Sequence, residues 1–167
     1  MSLKMKIGII KKNIYWLLLS LIIFFLDRFF KIYVINLFDT KNISEIYITP
    51  FLNLFLIWNK GIAFGLFSFN DQMIYKIITI LIVMVVLIIF MMILNSEGVK
   101  KYSLASILGG SLGNLYDRLY FSAVPDFFDF HFVGFHWFIF NIADIFITVG
   151  VIIMICNEIF KKKLNEN

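Results

Sequence analysis

Four long apolar stretches constrain this chain more than any other feature of its sequence. They lie at about residues 14–35, 73–94, 102–120 and 138–160, and each offers roughly 20 residues, the length a helix needs to cross a bilayer. Hydrophobic residues make up 61% of the chain and charged residues only 16%. A soluble domain of this length would expose too much apolar surface. The sequence therefore predicts a single all-α membrane domain over residues 1–167, with four transmembrane helices.

The positions of the basic residues predict how these helices are oriented. Cytoplasmic segments are enriched in Lys and Arg, so both termini are expected to be cytoplasmic, with residues 37–72 and 121–137 facing outward. The uninterrupted apolar run that opens the first stretch ends at Asp27 and Arg28 without a small-x-small cleavage site, which favours an uncleaved helix over a signal peptide. The net charge of +4 lies in short flanking clusters, which argues against nucleic acid as a partner. These clusters are Lys4, Lys6, Lys11 and Lys12, then Lys100 and Lys101, then Lys161, Lys162 and Lys163.

The first outward segment has the composition of a small β-sheet. Residues 43–49 and 51–58 are rich in Ile, Tyr, Phe and Leu, and they flank Pro50, which predicts two short strands joined by a turn. This aromatic segment either rests on the bilayer and helps to hold a lipid-bearing ligand or caps the helix bundle. The second outward segment, residues 121–137, is predicted to be a loop.

Two acidic residues stand where apolar sequence should exclude them. Asp126 lies in Val-Pro-Asp-Phe, and Asp144 lies in Phe-Asn-Ile-Ala-Asp at the start of the fourth apolar stretch. An ionisable group in a membrane segment is costly and marks a functional site by default. The predicted topology brings both to the outer face, close to the polar ends of the first and third helices. Two carboxylates that share one proton supply both an acid and a base for amide hydrolysis.

The sequence also fits structural roles for these acidic residues and their neighbours. Asp144 fits a residue that complements a helix N-terminus, and Asp126 fits a turn after Pro125. Asp129 competes with Asp126 as the reactive carboxylate. Asp27 and Lys31, four residues apart, form either an intrahelical pair or a substrate contact. The glycines at 109, 110 and 113 are expected to allow close helix packing.

Other chemistries fit the sequence less well. His131 and His136 lie five apart in the predicted loop without a fixed geometry, so a zinc site with Asp126 and Asp129 is conceivable but not expected, and no metal or cofactor is predicted. Cys156 has no histidine within reach to activate it. A carrier would place its charges near the bilayer midplane and would show inverted repeats, neither of which is seen here. A non-catalytic scaffold would not explain the converging carboxylates.

Two residues of the first helix, Asp27 and Lys31, are followed by four motifs that extend over essentially the whole chain. The motifs are Asn59 to Gly65, Gly109 to Arg118, Val124 to Phe127, and Phe140 to Asp144. In this order and spacing they are similar to the bacterial lipoprotein signal peptidases, also called signal peptidase II. Lys60 and Ile62 stand where the family commonly has Thr and Ala, and Ser111 stands where it has Ala.

The resemblance implies an inner-membrane aspartic endopeptidase with four transmembrane helices and a small outward-facing β-sheet. Enzymes of this kind remove the signal peptide from diacylglyceryl-modified prolipoproteins, just before the lipidated cysteine, and use no cofactor. A monomer in contact with membrane lipids is expected. Asp126 and Asp144 would be the catalytic pair. The residues implied to support the site or bind substrate are Asp27, Lys31, Asn59, Gly110, Asn114, Arg118, Asn141 and Ala143.

Overall fold

The structure is a computed structural model, and it describes residues 3–43, 45–61, 72–133 and 135–165. The end of the first motif, residues 62–65, lies outside the described residues. Within them the chain forms four helices and one four-stranded antiparallel sheet. The elements in chain order are α1 (Leu3–Lys41), β1 (Ile46–Thr49), β2 (Leu52–Asn59), α2 (Gln72–Leu94), α3 (Gly98–Phe121), β3 (Val124–Phe132), β4 (Phe135–Phe140) and α4 (Ile142–Asn165).

The sheet is larger than the sequence predicts. Strands β1 and β2 fall in the first outward segment, as expected, but β3 and β4 occupy most of residues 121–137, which were predicted to be a loop. That prediction was wrong because Pro125 and two aspartates argue against a strand when the chain is read alone. In the folded protein β3 pairs with β2 on one side and with β4 on the other, in the order β1-β2-β3-β4. Two segments distant in sequence therefore build one sheet.

The boundaries of two helices differ from the predicted ones. Helix α4 begins at Ile142 rather than near residue 138, because Phe138 and Phe140 pair with Phe130 and Phe128 of β3. Helix α1 extends beyond its apolar stretch at both ends and is 39 residues long, roughly 58 Å at 1.5 Å per residue. That length exceeds the roughly 30 Å thickness of the hydrocarbon core of a bilayer.

Helix α3 lies at the centre of the bundle and packs against the other three helices. Two adjacent glycines allow two of these close approaches. A Cβ on Gly109 would stand 2.7 Å from the carbonyl oxygen of Ser20 on α1, and one on Gly110 would approach the carbonyl oxygen of Ala143 on α4. Any larger residue would separate the helices, as the predicted packing role of these glycines requires.

Apolar packing divides into two clusters. One fills the space among the helices and includes Trp16, Val86, Ile93, Leu104 and Leu108. The other joins the sheet to α1 through Val34, Phe38 and the fully buried Phe127. The second cluster fixes β3 against α1, and β3 is the strand that carries Asp126.

Two helices, over Met73–Leu94 and Ile142–Leu164, are long and apolar enough to cross a membrane. Only 22% and 17% of their apolar windows are buried inside the protein, whereas a core helix of a soluble protein is mostly buried. Helices α1 and α3 carry charged residues within their apolar stretches, which lowers their hydropathy. The fold is therefore mostly helical, with a small antiparallel sheet and at least two helices suited to lipid.

Candidate active site

Strand β3 places the Asp126 carboxylate in the interior, beside the start of α4. Both of its oxygens accept hydrogen bonds from side-chain amides. The Asn59 Nδ2, at the end of β2, donates to Asp126 Oδ2 over 2.8 Å, and the Asn141 Nδ2 donates to Oδ1 over 2.6 Å. All three residues are buried. A strand rather than a mobile loop carries this carboxylate, and amides on two other segments orient it.

The start of α4 fixes the Asp144 carboxylate. The backbone N–H of Asp144 donates to Asn141 Oδ1 over 3.1 Å, and the Asp144 Oδ2 accepts from the backbone N–H of Asn141 over 3.2 Å. These reciprocal bonds form a capping box with Asn141 as the N-cap residue and Asp144 three residues further on. The remaining oxygen of Asp144 accepts from the Asn114 Nδ2 of α3 over 2.8 Å. Asp144 therefore caps a helix and faces the site at the same time.

Two amide side chains connect the carboxylates. Asn141 donates to Asp126 and exchanges hydrogen bonds with Asp144, so a single residue sets the position of both. Asn114 donates to Asp144 and accepts from the Asn141 Nδ2 over 3.1 Å. Because amide groups donate on one side and accept on the other, the two asparagines couple β3, α3 and α4 into one polar network.

The electrostatics of the site favour a shared proton. Burial, followed by the negative charge of Asp144, raises the pKa of the Asp126 carboxyl to about 7. The hydrogen bonds from Asn59 and Asn141 stabilise its charged form and limit this rise. Two interacting buried carboxylates lose their protons in steps that belong to the pair, so the second ionisation is shifted toward neutral pH.

A buried ion cluster adjoins the polar network that holds Asp126 and Asp144. The Lys31 ammonium is fully buried and contacts Asp27 at 2.9 Å, Asp117 at 2.7 Å and the Asn114 Oδ1 at 2.8 Å. Arg28 forms two hydrogen bonds to Asp117 and one to Asp27, so two cations balance two carboxylates. The cluster ties α1 to α3 and fixes the orientation of Asn114.

Asp27 also reaches α4. Its Oδ1 accepts from the backbone N–H of Ala143 over 3.0 Å, which satisfies one of the free N–H groups at the start of that helix. Gly110 packs against the carbonyl of the same Ala143. Gly110 and Ala143 therefore set the position of the α4 N-terminus, and this in turn fixes the position of Asp144.

Arg118 connects α3 to the end of β2. Its Nη2 donates to the carbonyl oxygen of Gly61 over 2.9 Å, and the Tyr75 hydroxyl of α2 donates to the Arg118 carbonyl over 3.1 Å. The Gly61 N–H in turn donates to Asn59 Oδ1 over 2.8 Å. Arg118 thus holds the chain that presents Asn59 to Asp126.

A cavity of about 240 Å³ opens onto both carboxylates. Its polar end is formed by the two aspartates, by amides and by Arg118, whereas its walls on α2 and α4 are apolar. The residues that line it are Asn59, Ile82, Val85, Val86, Ser111, Asn114, Arg118, Val124, Asp126, Asp144, Ile147 and Thr148. The cavity therefore has room for an extended apolar group next to a pair of acids.

Asp129 does not join this group, although the sequence left it as a competitor of Asp126. Its Oδ2 lies 2.7 Å from the Nδ1 of His136, and it stands 3.9 Å from the Nδ1 of His131. The two histidines are cross-strand partners of β3 and β4. The expectation that they lack a fixed geometry was wrong, because it followed from the incorrect loop prediction.

Sequence reasoning missed two members of the ion cluster, Arg28 and Asp117. Both lie beside expected residues, Arg28 next to Asp27 and Asp117 within the second motif, one position before Arg118. Asp117 also lies three residues after Asn114, on the same face of α3. This spacing was the available signal, but the pairing across helices appears only in the folded protein.

The fold and the site define a helical membrane protein with two buried carboxylates at one cavity. The comparisons with known proteins agree. A family model described as Signal peptidase (SPase) II matches residues 19–160. The lipoprotein signal peptidase of Pelagibacter ubique is 53% identical over 158 residues, covering 93% of this chain and 95% of that protein. The one from Francisella tularensis subsp. novicida is 38% identical over 161 residues, covering 93% and 98%. A solved bacterial membrane enzyme, determined by the in meso method at 2.3 Å, aligns with a TM-score of 0.69 at 28% identity over 91% of each chain.

The chain therefore belongs to the signal peptidase II family. This confirms the resemblance inferred from the motifs and identifies the chain as a membrane protease of bacterial type.

Proposed function

We propose that this protein is an aspartic endopeptidase that removes signal peptides from diacylglyceryl-modified prolipoproteins, cutting just before the lipidated cysteine. The observation that carries the proposal is the pairing of Asp126 and Asp144 at one cavity, each oriented by Asn141. The relatives named lipoprotein signal peptidase support the substrate class.

The mechanism uses the two carboxylates as one acid/base unit. With a single shared proton, the ionised carboxylate removes a proton from a water molecule, and the water oxygen attacks the scissile carbonyl carbon. The protonated carboxyl then gives its proton to the departing nitrogen, so the pair ends with one proton again. The raised pKa of Asp126 supports this assignment, because a group that ionises near pH 7 exchanges protons readily under working conditions.

The remaining site residues act by positioning. Asn59, Asn114 and Asn141 hold the carboxylates, and Lys31 with Asp27 holds Asn114 and the start of α4. Arg118 holds the segment after β2. Rigid placement of this kind lowers the barrier because the acids are already in position when the peptide arrives.

The proposal also includes the orientation of the protein in the membrane. We propose that all four helices of this single domain cross a bacterial inner membrane, with both termini cytoplasmic and the sheet and active site on the outer side. The charges of α1 and α3 support this, because Asp27, Lys31 and Asp117 are buried with partners instead of facing lipid. Large apolar side chains such as Ile22, Phe25 and Phe29 cover the outside of α1 and suit contact with membrane lipids. A monomer contains every residue of the proposed site.

The test uses the purified protein in lipid nanodiscs and two synthetic precursor peptides that differ only in the diacylglyceryl group on the cysteine. Mass spectrometry of the products identifies the cleaved bond. We expect cleavage of the lipidated peptide immediately before the cysteine, none of the unmodified peptide, and none by Asp126→Asn. Cleavage at another bond, or equal cleavage of the two peptides, would contradict the proposal. Ion flux into liposomes without cleavage would replace it with a transport function.

A further inference from the structure

The β3–β4 hairpin brings together the only two histidines of the chain and a buried aspartate. Asp129 and His131 are two residues apart on β3, so their side chains lie on one face of the strand. His136 of β4 stands directly opposite His131, and the two rings stack with centroids 5.3 Å apart. One ligand atom from each of the three residues falls within 4.8 Å of the others.

A bulge in the sheet produces this arrangement. Phe130 pairs with Phe138, but His131 pairs with His136, so the ladder passes over Trp137. Without that extra residue, His131 would face Trp137 and the His136 side chain would point to the opposite face, because a shift of one residue reverses every side chain. Bulges commonly redirect a side chain in this way. Here the bulge places the second imidazole beside Asp129.

Two oxygen atoms near the histidines have no hydrogen-bond partner within the part of the chain that the structure describes. The Asp129 side chain is only 3% exposed, and its Oδ1 is buried and unpartnered, although its Oδ2 contacts His136. Asn53 of β2 is the cross-strand partner of Asp129, and its buried Oδ1 is also unpartnered. Buried carboxylates are normally fully paired or coordinate a metal ion. The free Asp129 Oδ1, beside two imidazoles, is an acceptor that a cation can pair.

We propose that Asp129, His131 and His136 form a binding site for a divalent transition-metal ion, for which Zn²⁺ is the suitable probe. Two imidazoles and a carboxylate are ligands that zinc accepts, and three protein ligands leave one position for water. In a tetrahedral zinc site the ligand atoms stand about 3.3 Å apart. The present separations of 2.7 Å and 3.9 Å bracket that value.

The ion would clamp β4 to β3, the strand that carries Asp126, without entering the active-site cavity. Asp129 does not line that cavity. His136 is 59% exposed, so its ring can adjust to the ion and the site is open to solvent. The inference is independent of the proposed peptidase mechanism, since it concerns a different face of the sheet.

The test is a zinc titration of the full-length protein, purified without a histidine tag, in competition with a chelating fluorophore. Cys156 is exposed and binds zinc as a thiolate, so every protein in the series carries Cys156→Ser. The buffer is mildly alkaline, because histidine binds metal ions in its neutral form. We expect one Zn²⁺ per chain. His131→Ala and His136→Ala should each weaken binding by at least about a hundredfold, more than changes to outer-shell partners usually produce.

The matched control is Asp39→Asn, which removes an exposed carboxylate at the end of α1 and should leave zinc affinity unchanged. Thermal unfolding without zinc checks that the histidine variants fold, and His136→Gln repeats the test with a side chain of similar size. Equal zinc affinity in the parent protein and in both histidine variants would overturn the proposal, as would failure of the parent to bind zinc. Neither result involves peptide cleavage, so neither bears on the catalytic pair.

Discussion

Replacing Asn59 by alanine should move the pH dependence of cleavage to higher pH. The Asn59 Nδ2 donates to Asp126 Oδ2 over 2.8 Å, and both residues are buried. A hydrogen bond to a charged group contributes about 1.5–3 kcal/mol, and about 1.36 kcal/mol corresponds to one pKa unit. Loss of this bond should therefore raise the pKa of Asp126 from about 7 by roughly one to two units.

The direction follows from the state that the bond stabilises. An amide N–H favours the charged carboxylate, so its removal favours the protonated form, and the pair keeps its shared proton to higher pH. Cleavage requires that proton, because the leaving nitrogen must be protonated. The alkaline limb of the pH–rate profile should thus move up by about one to two units in Asn59→Ala. The maximal rate should fall as well, because Asp126 loses one of its two orienting amides.

The assay is kcat/KM for a lipidated fluorogenic peptide, measured across the pH range in nanodiscs. Asn95→Ala is the matched control. It removes an exposed amide that directly follows α2 and lies far along the chain from the site residues. Its profile should match that of the unchanged protein. An alkaline limb that stays in place or moves to lower pH in Asn59→Ala would refute the reasoning about Asp126.

Two further substitutions test the surroundings of the pair. Lys31→Met should destabilise the fold by about 3–5 kcal/mol, because two buried carboxylates then share the single charge of Arg28. Chemical denaturation measures this, with the exposed Lys41→Met as the control, and equal stability of the two variants would argue against the ion cluster. Gly110→Ala should lower kcat by about a hundredfold, because its Cβ would displace the first turn of α4. Val99→Ala, at an exposed position on the same helix, should cleave at the normal rate, and equal rates for the two alanine variants would exclude this effect.

The sequence predicts the helical elements and the first two strands well, because their signals are local. Residues 51–58 are rich in Phe, Leu and Ile, and β2 occupies Leu52–Asn59. The β3–β4 hairpin escapes prediction because its evidence is not local. Pro125 lies within β3, and Asp126 and Asp129 are buried on it, so the strand contradicts its own composition. Pairing with β2 and β4 satisfies the backbone of β3. The side-chain amides of Asn59 and Asn141 satisfy the buried carboxylate of Asp126.

The same distinction holds for the site. Asp126 and Asp144 stand out in the sequence because apolar surroundings make isolated carboxylates conspicuous. Arg28 and Asp117 do not stand out, because a charged residue beside other polar residues is ordinary until its buried partner is known. The histidine pair is hidden for a further reason, since the bulge that redirects His136 depends on how the hairpin pairs.

The central claim is that Asp126 and Asp144 act as one catalytic unit, and single-turnover cleavage of the lipidated precursor tests it most directly. The proteins to compare are Asp126→Asn, Asp144→Asn, the double variant and the exposed control Asp39→Asn. Each single substitution should lower the rate by at least about a thousandfold, and the double variant should be no slower than the slower single one. A single variant that keeps a rate within roughly tenfold of the unchanged protein would contradict the account, because an acid/base pair cannot work with one member.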